Sequence, residues 1–201
     1  MTTSGLREQK KKRTKQALIR SALNLFADKG YDATTVAEIA AAAEVSPATF
    51  FNYFAAKDEV VFADDDLYDD LVGQALARRT SREGPADLLL RVVREIAAAD
   101  AWSFPLDHEL TDVRARLIAE VPALQAGAFL RLAALQQRLA DALLDIYSDG
   151  VDRLYVAALT GSVLGAVDAV LRGTGGDITS RTADVTAAAE IALRGHLREK
   201  R

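Results

Sequence analysis

Residues 34–57 read TTVAEIAAAAEVSPATFFNYFAAK, and the rest of the chain is organised around them. Two helix starts are written into the stretch. Thr35 followed by Glu38 fits a capping box, in which the hydroxyl accepts from the backbone three residues on and the carboxylate reaches back. Ser46 followed by Pro47 places a good N-cap before a residue whose missing N–H costs nothing at the first helical position. Val36, Ile39, Ala40 and Ala43 recur at helical spacing in the first segment. Phe50 and Phe54, four apart, face inward with Val45 in the second and leave Thr49, Asn52 and Tyr53 outward. A helix this short cannot stand alone in water. It needs neighbours on one side and a free polar face on the other, which is the requirement of a DNA-recognition helix.

Residues 14–57 resemble the DNA-binding domain of the TetR family of bacterial transcriptional regulators. The resemblance is carried by Ala22, Leu25, Phe26, Gly30, Tyr31, Thr34, Thr35, Val36, Ile39, Ala40, Ala43, Val45, Ser46, Thr49, Phe50, Tyr53, Phe54 and Lys57. Two positions depart from the family pattern. The inter-helix turn carries Glu44 where Gly is usual, at a cost of about 1 kcal/mol if the position needs a positive φ. Phe51 stands where Tyr is usual, removing a hydroxyl that could reach a phosphate.

Outward from this stretch, composition bounds the class. Half of the 201 residues are apolar, 6% are aromatic and none is cysteine. Helical spacing recurs without strand alternation, so an all-α fold of about nine helices is expected. The absence of cysteine excludes disulfides and thiolate metal sites. The basic N-terminus lacks an apolar core, so a cytoplasmic protein without a secretory signal is expected. The net charge of −4 is unevenly spread. Arg7, Lys10, Lys11, Lys12, Arg13, Lys15 and Arg20 face only Glu8 in residues 1–20, whereas residues 58–70 are acidic throughout, with Asp64, Asp65 and Asp66 in succession. One basic surface on an acidic body suits nucleic acid. The acidic run itself reads as a solvated helix face.

The expected organisation is a disordered basic arm over 1–9, a helix-turn-helix domain over 10–56 and a helical effector-binding and dimerisation domain over 57–201. Within it, a first helix runs from Lys10 to Lys29 and stops at Gly30. A long fourth helix starts near Ala55–Lys57 and reaches Thr80. Further helices span 86–99, 106–120, 122–148, 152–172 and 180–198, with Gly173–Gly176 as a linker. Lys57, in the first turn of the fourth helix, opposes the helix dipole unless an anion such as a DNA phosphate lies nearby.

Base-edge candidates are Pro47, Ala48, Thr49 and Asn52, because methyls suit thymine and Asn suits adenine. Phosphate candidates are Thr35, Ser46, Tyr53 and Lys57, with Lys12, Arg13 and Lys15 from the arm. Trp102, Phe104, His108, Phe129, Tyr147 and Tyr155, at breaks and helix ends, are candidates to line a pocket. The helix over 152–172 is apolar nearly all round; its Asp168, Thr160 and Ser162 argue against a membrane span.

The resemblance implies a homodimer whose last two helices pair across a two-fold axis. Ala158, Gly161, Ser162, Gly165, Ala169, Val185, Ala189 and Leu193 are the candidate interface. It further implies a repressor on a pseudo-palindromic operator, released when a small effector fills the C-terminal body. The apolar makeup points to an apolar effector, and FFNYFAAKDEVV resembles an actinobacterial branch whose members respond to acyl-CoA-type molecules. No metal site, cofactor or enzyme motif is found: there is no phosphate loop, nucleophile elbow or metal-ligand spacing. The competing classes are a ligand-independent DNA binder and, further off, a helical enzyme.

Overall fold

Gly30 decides where the first helix stops. Its φ of 90° is open to glycine at no steric cost, and the chain reverses there. The computed structural model describes residues 3–100, 102–148, 150–173 and 178–196, and over these it is all-helical. Helix α1 is Thr3–Lys29, α2 Val36–Ala42 and α3 Pro47–Phe51; the body is α4 Asp65–Ala77, α5 Pro85–Ala97, α6 Glu109–Glu120, α7 Pro122–Ile146, α8 Arg153–Arg172 and α9 Arg181–Leu193.

Helices α1 to α3 close on Leu18, Ile19, Leu23, Phe26, Ile39, Phe50 and Phe54, all buried. Burying each such side chain is worth about 1.5–3 kcal/mol, and they come from three segments too short or too polar to fold singly. The same core continues into the body through Phe104, Leu110, Leu117 and Leu124, so α1 packs on α6 as well as on α2. A second core joins α4, α5, α7, α8 and α9 around Leu88, Leu89, Leu139, Leu143, Val156 and Leu159.

Several boundaries differ from expectation for identifiable reasons. Helix α1 begins at Thr3 rather than Lys10, so the residues expected as a disordered arm are helical from Thr3; Met1 and Thr2 lie outside the described residues. The expected long fourth helix is split into a 3-10 turn, Asp58–Val60, and α4. Asp64 stands at the break. Its side chain does not cap α4, because Ser103 and Arg114 hold it. Helix α6 starts at Glu109 instead of Leu106, and α6 and α7 meet at 102° where Pro122 begins the new helix. Helix α9 ends at Leu193, with a turn over 194–196, short of the expected end near Arg198; most of the Gly173–Gly176 linker falls outside the described residues.

The candidate dimer residues divide. Ala158, Ser162, Gly165 and Ala169 lie bare on α8, with Gly161 half-buried beside them. Val185, Ala189 and Leu193 are buried inside the chain and correct the expectation: they form the apolar stripe with which α9 packs on α5 and α8. The outward residues of α9 are Ala183, Asp184, Ala187 and Ile191, the last 63% exposed, and Leu154 at the start of α8 is 80% exposed. Helix α8 has the length and apolarity of a membrane span. Its packing against α7 and α9 and its Asp168–Arg172 ion pair fit a core helix instead.

Glu44 sits at φ 57°, in the left-handed region where an L side chain is strained. Glu44→Gly is expected to stabilise the protein by about 1 kcal/mol, raising the thermal midpoint followed by circular dichroism by about 2–4 °C. An unchanged or lower midpoint would show that the turn carries no such strain.

Candidate nucleic-acid interface and interior cavity

Helix α2 is started by the capping box. The Thr35 amide donates to Glu38 Oε2 at 2.9 Å, and Thr35 Oγ1 accepts from the Glu38 amide at 3.3 Å. Lys29 donates to the same carboxylate at 2.5 Å, and with the Thr35 bonds this lowers the Glu38 pKa to about 2. Ser46 caps α3, its Oγ accepting from the Thr49 amide at 3.1 Å and lying 2.9 Å from the Thr49 hydroxyl. Phe50 anchors α3 in the core, with Phe54 at 5.5 Å between ring centres. Pro47, Ala48 and Asn52 are left exposed, and Thr49 and Tyr53 half-exposed. Phe51 is exposed too, edge-on to Phe50.

Lys12, Arg13, Thr35 and Ser46 are likewise open to solvent. Lys15 and Lys57 are not free in the same way. Lys57 Nζ donates to the carbonyls of Tyr31 at 2.7 Å and Thr34 at 3.0 Å, and lies 4.1 Å from the Tyr31 ring centre. It ties the α1–α2 connection to the segment after α3. Lys15 Nζ donates to the Ala63 carbonyl at 2.7 Å, tying α1 to the entrance of α4. The backbone opening expected beside Lys57 is partly filled as well, because the Glu59 carboxylate accepts from the Ala55 amide at 2.7 Å. Carbonyl acceptors leave no mark in a sequence, so neither lysine's inward role was readable there.

Behind this unit lies a half-open cavity of about 300 Å³, walled by the segment from Val61 to Tyr68, by the 102–106 segment, by α5, α6 and α8, and by Ala128 of α7 and Val185 of α9. Of the residues expected to line a pocket, Trp102 and Phe104 do so. The other four lie elsewhere. His108 caps α6, its Nδ1 accepting from the Leu110 amide at 3.1 Å. Phe129 is 66% exposed on α7. Tyr147 donates its hydroxyl to the Glu83 carbonyl at 3.0 Å, in a separate hollow, and Tyr155 packs on His196.

The polar groups of the cavity wall went unrecognised in the sequence. Asp64 is buried: its Oδ1 accepts from the Ser103 hydroxyl at 2.5 Å, and its Oδ2 from Arg114 Nη1 at 3.1 Å. Asp65 pairs with Arg131 at 2.6 Å, and Asp168 with Arg172. Tyr68 also faces the cavity, and burial pushes its hydroxyl up to about 12. The signal available was three consecutive acids at a helix start, of which Asp65 and Asp66 are exposed, as a solvated face requires, and Asp64 alone is buried. Among the described residues no group of three or more His, Cys, Asp or Glu is placed to hold a metal ion.

Comparison with known proteins agrees with this geometry. The family model for bacterial regulatory proteins of the tetR family matches residues 18–63, and the model for the MftR C-terminal domain matches residues 89–197, more than half of the chain. The HTH-type transcriptional regulator TcmR of Streptomyces glaucescens is 37% identical over 138 residues, which is 68% of this chain and 61% of TcmR. The HTH-type transcriptional repressor Rv3405c of Mycobacterium tuberculosis is 36% identical over 77 residues, 38% of this chain and 39% of that protein. The matches thus span 39–61% of the length of these relatives. Among solved structures, the Thermus thermophilus FadR repressor in complex with lauroyl-CoA gives a TM-score of 0.57 at 21% identity, covering 93% of this chain and 97% of that one. FadR of Bacillus halodurans gives 0.57 at 18% identity, covering 92% and 97%. At these identities the likeness is one of fold.

Lys57→Met keeps the aliphatic stem and removes both carbonyl bonds. It is expected to lower stability to urea by about 1–3 kcal/mol, since two partly buried acceptors lose a charged donor. A variant as stable as the parent would show that the Lys57 tether contributes nothing.

Proposed function

The chain belongs to the TetR family of bacterial regulatory proteins, and we propose that it is a homodimeric transcriptional repressor whose hold on DNA is set by a small effector in the interior cavity. The observation that carries this reading is the one-sided burial of α3. Phe50 is wholly enclosed while Pro47, Ala48 and Asn52 stand open, so a rigid short helix offers a polar and methyl-bearing face to its surroundings. In the major groove, Asn52 reads adenine, and the methyls of Ala48 and Thr49, with the Pro47 ring, meet thymine. Lys12 and Arg13 on α1 take phosphates, with the hydroxyls of Thr35, Ser46 and Tyr53. Lys15 and Lys57 contribute by holding the frame, with phosphate contact secondary for both.

One α3 reads few base pairs. Two copies at a fixed spacing read a pseudo-palindrome, and that requires a dimer. The bare stripe Leu154, Ala158, Ser162, Gly165 and Ala169 on α8, continued by Ile191 on α9, supports a helix-on-helix interface with a second copy. Its small residues allow close approach, and a second copy seated there would cover the exposed apolar surface of α8. Residues 10–56 serve as the DNA-binding domain and 57–201 as the body, in a cytoplasmic protein that needs no cofactor or catalytic group.

Effector control is supported by the joint between cavity and DNA-binding unit. Asp64 lines the cavity, and the carbonyl just before it is held by Lys15 of α1. A ligand that moves Asp64 therefore pulls on α1. It can shift the equilibrium only by its difference in affinity for the two arrangements. The lauroyl-CoA of the Thermus repressor supports an acyl-CoA-like or otherwise apolar effector.

Fluorescence anisotropy on DNA from upstream of the protein's own gene, across a salt series, tests the residue roles. Lys12→Ala and Arg13→Ala are each expected to weaken binding to all duplexes and to reduce the salt slope by about 1. Asn52→Ala is expected to cost about 1–3 kcal/mol on the preferred duplex and little on a shuffled one. Equal losses on both duplexes would remove Asn52 from the base-reading set.

A further inference from the structure

We propose that Phe51 reads DNA bases: its ring seats on the 5-methyl group of a thymine in the major groove and makes each half-site depend on that methyl. The proposal deepens the DNA-binding reading and rests on it. Phe51 is 56% exposed, and between residues 14 and 57 no other large apolar side chain is exposed. It lies four residues after Pro47 and three after Ala48, on one face of α3, and both of those are exposed as well. An apolar patch therefore stands beside Asn52, where base edges are met. The Thr49 hydroxyl is already engaged by Ser46 at 2.9 Å, so polar reading by this face falls chiefly to Asn52.

The chemistry of the groove selects the partner. A phenyl ring has no donor or acceptor, so it can neither replace a phosphate-reaching tyrosine hydroxyl nor pair with the polar edge of a base. The thymine 5-methyl is the one methyl group that base pairs present in the major groove. Set against guanine N7 and O6 or the cytosine amino group, the ring would strip water from polar atoms and return no bond. Phe51 thus favours thymine by contact and rejects a G·C pair by desolvation. The ring is also held in advance. Phe50, wholly buried, meets it edge-on at 84° with 5.5 Å between ring centres, so little side-chain freedom is lost on binding. A ring lying against the deoxyribose would add affinity without sequence preference. Removing the methyl from the DNA separates the two placements.

In the duplex preferred in the anisotropy assay, deoxyuridine replaces thymine at one position at a time in both half-sites. This removes the methyl and leaves every hydrogen bond of the base pair. At one such position the parent protein is expected to lose about 4-fold in affinity per methyl removed, the worth of one buried methylene-sized group. Phe51→Ala is expected to bind the thymine duplex more weakly by at least that factor and to be indifferent to the same deoxyuridine. Phe51→Leu is expected to keep a reduced penalty, and Asn52→Ala, which changes only the polar reading, to keep it in full. Helical circular dichroism checks that each variant folds; if Phe51→Ala does not, the reduced penalty in Phe51→Leu carries the test. The proposal is overturned if no deoxyuridine weakens the parent, or if every penalty survives in full in the folded Phe51 variants. Equal weakening of thymine, deoxyuridine and shuffled duplexes by Phe51→Ala also overturns it, placing the ring on the sugar–phosphate backbone. If the protein prefers no duplex to a shuffled one, base reading by α3 falls and the proposal falls with it. A preference that is blind to the methyl leaves the DNA-binding reading standing and removes Phe51 alone.

Discussion

Helix α3 is five residues long, and a helix of that length has no stability of its own in water. The surrounding structure answers this constraint. Ser46 and Pro47 fix where α3 starts, Phe50 buries its inner face, and the left-handed Glu44 turns the chain sharply enough for α2 and α3 to share one core. Because α3 must keep its outer face free, it can be held only from behind. Helix α1 provides that support, and α1 is in turn held by Lys57 through the α1–α2 connection and by Lys15 at the entrance of the body.

The same helix makes the DNA-binding unit inseparable from the body. Leu18 and Ile19 share a continuous core with Leu110, Leu117 and Leu124, so α1 is packed on both sides. A movement within the body reaches α3 through packed side chains and one short stretch of backbone. Within a few residues Phe62 and Asp64 face the cavity, the Ala63 carbonyl meets Lys15, and α4 begins. Interiors packed in this way respond by switching between arrangements rather than by bending smoothly. This suits the proposed function, in which an effector sets the placement of a pair of short helices.

The helix-turn-helix was legible in the sequence because its determinants are local. Thr35 with Glu38, Ser46 with Pro47, and Gly30 act within a few residues of themselves, and the structure contains each bond they imply. Element order in the body was legible from apolar spacing and from Pro85 and Pro122. The roles of Lys15 and Lys57 were not, since their acceptors are backbone carbonyls 48 and 26 residues away. The stripe Val185, Ala189 and Leu193 was correctly an apolar face, but periodicity does not say whether such a face meets its own chain or a second copy. Trp102 and Phe104 stood out as aromatics at a break. Asp64 did not, because a buried acid is recognised by its partners, and Ser103 and Arg114 lie far along the chain.

In the proposed function, filling the cavity changes the spacing of the two α3 helices in a dimer. The chain has no cysteine, so one introduced at the exposed Ala27 of α1 carries a single nitroxide per copy. Dipolar spectroscopy then gives the distance between copies, with cavity occupancy followed in parallel by Trp102 emission. One well-defined distance is expected in the free protein and a displaced one when the cavity is filled. A missing dipolar signal would contradict the dimer. An unchanged distance with the cavity filled would contradict the coupling.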